Sequence, residues 1–118
     1  MPLLASNHTV IAPGLRGAGY FDCPHGGYDK ATMAADIHEM MHAPGFERYA
    51  ECGHDIDAIV ALTVACNYRQ AATHLAILDS AIPGWSKWEA ILSDPRVWHF
   101  SFHMKENHPG MAAPRTRI

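Results

Sequence analysis

The chain is 118 residues long, enough for one domain with a modest core. Hydrophobic residues make up 48% and charged residues 18%, the balance of an ordinary globular protein rather than a disordered tract. A net charge of -3 with scattered Lys and Arg leaves no basic stripe, which argues against a nucleic-acid partner. Met1-Pro2-Leu3-Leu4-Ala5 has neither the basic segment nor the apolar length of a signal peptide. No stretch approaches the roughly 20 apolar residues that span a bilayer, so no membrane contact is expected. Cys23, Cys52 and Cys66 are odd in number and form no CxxC pair, which fits reduced thiols and a cytoplasmic location.

In chain order, the β-branched run His8-Thr9-Val10-Ile11-Ala12, ended by Pro13-Gly14, predicts a short buried strand. Residues 16–27 hold four glycines and a proline and form a loop. Asp29 is placed to cap a helix over 30–42, whose buried face is Met33, Ile37, Met40 and Met41 at helical spacing. Pro44-Gly45 ends it, with glycine suited to the left-handed terminal position. A strand-like run, Tyr49-Ala50-Glu51-Cys52, then meets a polar Gly53-His54-Asp55 turn, and a helix over 56–68 follows without a linker. Ile56, Ile59, Val60, Thr63 and Val64 form one face of that helix. Ala58, Ala61, Leu62, Ala65 and Cys66 make the rest apolar, so it is expected to be buried on most sides. His74-Leu75-Ala76-Ile77-Leu78-Asp79 is a nearly continuous apolar run of the kind found in strands covered on both faces.

The order strand, helix, strand, helix, strand argues for an α/β fold with three parallel strands and right-handed crossovers, occupying residues 1–84. After Ile82-Pro83-Gly84 the character changes. Trp85, Trp88, Trp98, Phe100 and Phe102 crowd into residues 85–106, with helical spacing around Trp88–Leu92. Residues 107–118, with two prolines and Gly110, read as an unstructured tail.

Three motifs bear on chemistry. His38-Glu39-Met40-Met41-His42 is a literal H-E-x-x-H, which on a helix can hold zinc with Glu as general base. The position of a third ligand is Arg48, a cation, and Gly45 is accounted for as a helix stop, so no metal is expected. Gly17 and Gly19 suggest a dinucleotide loop, but Asp22 stands in place of the third glycine, and no cofactor is expected. His99 and His103, four apart among aromatics, read as pocket or core-edge residues rather than ligands.

The third motif is the turn Gly53-His54-Asp55. It has two readings: Asp55 caps the helix, or the abrupt strand-to-helix turn exposes Asp55 as a nucleophile beside a helix N-terminus. A nucleophilic carboxylate works through an ester. It needs the Ile56 N–H and a second donor to stabilise an oxyanion, and a histidine, oriented by an acid, to activate water. His54 is adjacent in sequence, where neighbouring side chains diverge.

Several stretches together resemble the α/β-hydrolase fold, in the branch of soluble epoxide hydrolases and haloacetate dehalogenases. They are Val10-Ile11-Ala12-Pro13 with Leu15-Arg16-Gly17-Ala18-Gly19, Gly27-Tyr28-Asp29-Lys30, Gly45-Phe46-Glu47-Arg48, and the elbow Gly53-His54-Asp55-Ile56. The run from His74 to Gly84 and Trp98-His99-Phe100-Ser101-Phe102-His103 complete the set, which covers nearly the whole chain. The resemblance implies a partial three-layer sandwich followed by the start of a helical lid. It implies Asp55 as nucleophile toward an epoxide, Ile56 as a backbone donor to the oxyanion, and His54, Trp98, His99 and Phe100 around the substrate pocket. Dehalogenases of this branch more often carry Arg after the nucleophile, so Ile56 favours the epoxide hydrolases over the dehalogenase alternative. A full member is more than twice this length. The chain is therefore expected to be an internal, truncated stretch lacking the His-Gly-x-Pro loop, the lid tyrosines, the catalytic histidine and its acid. Low or no activity alone is then expected, and the third alternative is a non-catalytic remnant or interaction protein.

The family pattern has glycine two residues after the nucleophile, where Asp57 is expected to crowd the elbow. Glu51 puts a carboxylate into a strand that the fold would bury on both faces. An open sheet edge and an uncovered apolar face lead to an expectation of self-association.

Overall fold

The structure, a computed structural model, describes residues 2–85 and 87–98. It contains four α-helices, α1 (Pro2–Ala5), α2 (Lys30–His42), α3 (Ile56–Asn67) and α4 (Trp88–Ser93). Two strands, β1 (Tyr49–His54) and β2 (Ala72–Leu78), and a 3-10 turn over Pro95–Val97 complete the described elements. The tail from 107, with His99, Phe100, Phe102 and His103, lies outside the described residues.

Helix α2 begins where its cap predicts. Asp29 has extended backbone, its carboxylate accepts from the Thr32 N–H at 2.9 Å and from the Thr32 hydroxyl at 2.7 Å, and the bonds hold its pKa below the usual carboxylate value. The helix ends at His42, and Gly45 adopts φ 90°, as the Pro44-Gly45 stop predicts. From that left-handed turn Phe46 N–H reaches back to the Met41 carbonyl at 3.0 Å.

Strands β1 and β2 pair in parallel, joined through α3 as one βαβ unit, with Glu51 opposite Leu75 and His54 opposite Leu78. Helix α3 lies against both strands, and α2 lies against α3. Met33, Ala34, Tyr49, Val60, Val64 and Ala71 form the core between them, with Leu15, Ile37, Met41 and Tyr68 at its margin. The Arg16 guanidinium forks onto Asp36 at 2.5 and 2.6 Å, fastening the glycine-rich loop to α2.

Three expectations are corrected. Residues 8–12 form no strand and are mostly exposed, with Ile11 at 39% exposure, so the described sheet has two strands and not three. The Thr9-Val10-Ile11 run has strand propensity, but β1 and β2 take each other's hydrogen bonds and no described strand accepts those of residues 8–12. Strand β2 is not covered on both faces: Leu75 and Leu78 are 36% and 51% exposed. Its apolar surface outruns the single helical layer described here, which leaves one face uncovered among the described residues. Asp57 does not crowd the elbow. It is exposed, and its charge acts on the half-buried Lys30, whose pKa burial pulls down against the pull of Asp57 and Asp29.

Candidate active site

The turn between β1 and α3 is where the backbone departs furthest from ordinary geometry. Asp55 sits at φ 52°, ψ -119°, a conformation that a side chain rarely tolerates. Such strain costs on the order of 1–3 kcal/mol and persists only where surrounding contacts hold it. Here the contacts are explicit. The Asp55 N–H donates to the Leu78 carbonyl at 3.2 Å, extending the β1–β2 ladder by one residue. The Asp55 carbonyl accepts from the Ala58 N–H at 3.2 Å and from the Ser80 hydroxyl at 2.7 Å.

Gly53 makes the turn possible. A Cβ there would stand 2.5 Å from the Ala58 Cα and 2.5 Å from the Asp57 carbonyl oxygen, so only glycine lets α3 leave the strand so closely. The Asp57 side chain, one turn further on, is exposed to solvent.

The geometry bears on the capping reading of Asp55. It occupies the N-cap position of α3, yet its side chain makes no capping hydrogen bond and its backbone is not extended. Asp29 is the internal contrast, since it caps α2 with both carboxylate oxygens engaged. The Asp55 carboxylate is therefore not spent on the helix.

A cavity of about 660 Å³ opens at the C-terminal ends of β1 and β2, where ligands collect in parallel sheets. His54 and Asp55 line it from the elbow, Asp79 and Ser80 from the end of β2, and Ile91 and Val97 from the segment beyond Gly84. Of the pocket residues predicted from the sequence, His54 is brought to Asp55. Trp98 is not: it is 63% exposed and absent from the cavity wall, although its neighbour Val97 lines it. His99 and Phe100 lie outside the described residues.

Two residues on the wall were not singled out from the sequence. Ser80 is the donor to the elbow carbonyl. Asp79 is a second carboxylate in the cavity and, like Asp55, holds a positive φ, 43°. The signal for both was the position itself: a polar pair directly after an apolar parallel strand, at the end where parallel sheets collect ligands.

Glu51 lies two residues before Gly53 on the same side of β1, its Oε1 buried without a hydrogen-bond partner. Burial pushes its pKa from the ordinary 4.5 up to about 7. The expectation of an unpaired carboxylate in this strand thus holds in the geometry. Tyr49 is pushed up to about 12, chiefly by burial, then by Glu51 and Tyr68.

Of the two H-E-x-x-H histidines, His38 packs at the margin of the core and His42 is exposed. The His38 ring stacks on Tyr68 with centroids 3.9 Å apart, and its Nδ1 lies 2.9 Å from the Tyr49 hydroxyl. Among the described residues no group of three or more His, Cys, Asp or Glu side chains is arranged to hold a metal ion.

No protein-family model matches the chain. Individual proteins do. The chain is similar to a soluble epoxide hydrolase from Corynebacterium sp. (strain C12), 42% identical over 87 residues, covering 74% of this chain and 30% of the relative. It is 33% identical over 108 residues to a fluoroacetate dehalogenase from Burkholderia sp., covering 86% of this chain and 35% of the relative. The crystal structure of Cfl2 from Burkholderia cenocepacia superposes with a TM-score of 0.79 at 37% identity, over 92% of this chain and 38% of that one. The fold is part of an α/β-hydrolase. The chain spans about a third of the length of the curated relatives it matches. Within this α/β-hydrolase frame, Gly53-His54-Asp55 stands at the strand–turn–helix junction between β1 and α3. Among the described residues no helix is long and apolar enough to cross a membrane, and the three cysteines are unpaired.

Proposed function

We propose that Asp55 is the nucleophile of an epoxide-opening hydrolase. The observation that carries this reading is the elbow: a strained Asp55 whose carboxylate caps nothing and lines a cavity at the sheet's C-terminal edge. An Asp55 carboxylate oxygen attacks a ring carbon and forms an ester. The ring C–O bond breaks, its electron pair goes to the epoxide oxygen, and that oxygen takes a proton from water. The Ile56 N–H, at the start of α3, supplies a donor to the oxyanion when the ester is later hydrolysed. His54 borders the substrate from the cavity wall, and His99 and Phe100 are proposed to complete its surroundings, while Trp98, outside that wall, has no such part.

Hydrolysis of the ester requires a histidine facing it; His54, the only histidine on the described cavity wall, is the chain neighbour of Asp55, and adjacent side chains diverge rather than face one another. Asp79, on that wall, is a carboxylate suited to orient such a base. We therefore assign the 118-residue chain alone low or no turnover, stopping at the ester. The substrate is a small-molecule epoxide, and the open sheet edge favours self-association.

A second reading has its own support, because the fluoroacetate dehalogenase aligns over more of this chain than the epoxide hydrolase does. In that reading the Asp55 carboxylate displaces a halide from a haloacetate, and the carbon–halogen bond breaks as the ester forms. A third, a non-catalytic remnant, predicts no adduct at all.

Incubation with styrene oxide or chloroacetate, followed by intact mass, separates the three. A single adduct of epoxide mass, mapped to Asp55 and lost in Asp55→Asn, is the expected result. A carboxymethyl adduct with chloride release and no epoxide adduct would favour the dehalogenase reading. Absence of any adduct, or an adduct that survives Asp55→Asn, would sink the nucleophile assignment, and many turnovers to diol would sink the claim that the chain stops at the ester.

A further inference from the structure

The elbow's hydrogen bonds carry one step further. The peptide joining Asp55 to Ile56 is planar and trans, so its carbonyl oxygen and its N–H point in opposite directions. The Ser80 hydroxyl donates to that carbonyl at 2.7 Å, across a separation of 25 residues. Whatever fixes the Asp55 carbonyl also fixes the aim of the Ile56 N–H. That N–H is the first of α3, one of the donors that a helix leaves without an intrahelical partner.

We infer that Ser80 is a positioning residue: by holding the Asp55 carbonyl, it aims the Ile56 N–H away from the helix and toward the oxyanion site. This rests on the reading of Asp55 as nucleophile. The other bond to the same carbonyl, from the Ala58 N–H, is longer, at 3.2 Å, and belongs to the turn itself. Ser80 supplies the shorter one from a different element, beside Asp79 with its own positive φ. The end of β2 thus grips the elbow at both ends of Asp55: Leu78 takes its N–H and Ser80 holds its carbonyl. Without the hydroxyl, the strained peptide is free to rotate toward an ordinary cap geometry, carrying the Ile56 N–H with it.

Three variants of the full chain test this: Ser80→Ala removes the hydroxyl, Ser80→Thr keeps it, and Ser80→Cys replaces it with a weak donor of similar size. The first readout is the amide cross-peak of Ile56 in a nitrogen–proton correlation spectrum, which needs no chemistry at Asp55. The Ile56 peak is expected to move in Ser80→Ala more than any amide outside residues 54–58 and 78–82, and to stay in Ser80→Thr. The second is the rate of hydrolysis of the Asp55 ester, followed by loss of adduct mass at alkaline pH. It is expected to fall about tenfold in Ser80→Ala, a fraction of what losing a whole oxyanion donor costs. Ser80→Thr is expected to restore the wild-type rate.

An Ile56 peak that is unmoved in Ser80→Ala, or moved equally in Ser80→Thr, overturns the inference. If Ser80→Ala fails to fold, Ser80→Cys is read instead, and wild-type behaviour there overturns it too. If wild-type protein takes no adduct, the nucleophile reading fails while the amide spectrum still decides the role of Ser80.

Discussion

Glu51→Gln tests the most unusual electrostatic feature of the fold. The carboxylate sits on the side of β1 that faces the helices, Oε1 buried and unpartnered, and burial lifts its pKa from 4.5 to about 7. Lys30, the half-buried cation of α2, is engaged with Asp57 and Asp29 instead. Because the folded pKa exceeds the unfolded one, the folded state holds the proton more tightly across that interval. The stability it confers is therefore full below pH 4.5 and is lost as pH rises through about 7. For a fully enclosed group the displacement would be worth about 3 kcal/mol, and solvent screening of this partly exposed side chain reduces it to about 1–2 kcal/mol. Glutamine keeps the shape and carries no charge. At pH 5 the two proteins should melt within about 2 °C of each other, and at pH 8 Glu51→Gln should melt about 5–10 °C higher. Thermal unfolding by circular dichroism across pH 4–9 measures the difference. Asp29, whose pKa is held down, pulls the wild-type curve the opposite way, but it is common to both proteins and cancels. A gap between the two proteins that does not widen from pH 5 to pH 8 would refute the reasoning.

The remaining predictions concern the turn and its contrast. Gly53→Ala places a Cβ 2.5 Å from the backbone of α3 and should destabilise the chain by about 2–3 kcal/mol in urea unfolding, where an unchanged midpoint would contradict the close approach. Asp55→Gly relieves the φ 52° strain and should raise stability by about 1 kcal/mol, whereas Asp55→Asn should not, a difference visible in the same melts. Asp29→Ala removes a cap with two side-chain bonds and should lose about 1 kcal/mol, while Asp55→Ala, which removes no cap bond, should cost less than half as much.

How much of this was legible in the sequence differs by residue. The limits of α2 were readable because a cap and a stop act within one turn: Asp29 reaches Thr32, and Gly45 takes the left-handed turn. Residues 8–12 have strand propensity and form no strand, because propensity becomes a strand only when a neighbouring edge accepts its hydrogen bonds. Asp57 illustrates the same limit. A charge two residues past Asp55 looked obstructive, but the direction of the first helical turn sends it into solvent.

The sequence by itself determined the local features of this part of an α/β-hydrolase fold: where α2 and α3 run, that a glycine and an aspartate meet at an abrupt strand-to-helix turn, and that Glu51 intrudes into an apolar strand. Tertiary structure alone decided what those residues do. That Asp55 caps nothing depends on its backbone being held at a strained angle by Leu78 and Ser80, more than twenty residues away in the chain. That Asp79 joins it on one cavity wall depends on β1 and β2 ending side by side. Propensity acts over a few residues, and the register of a parallel pair is set by the packing of the helix between the strands.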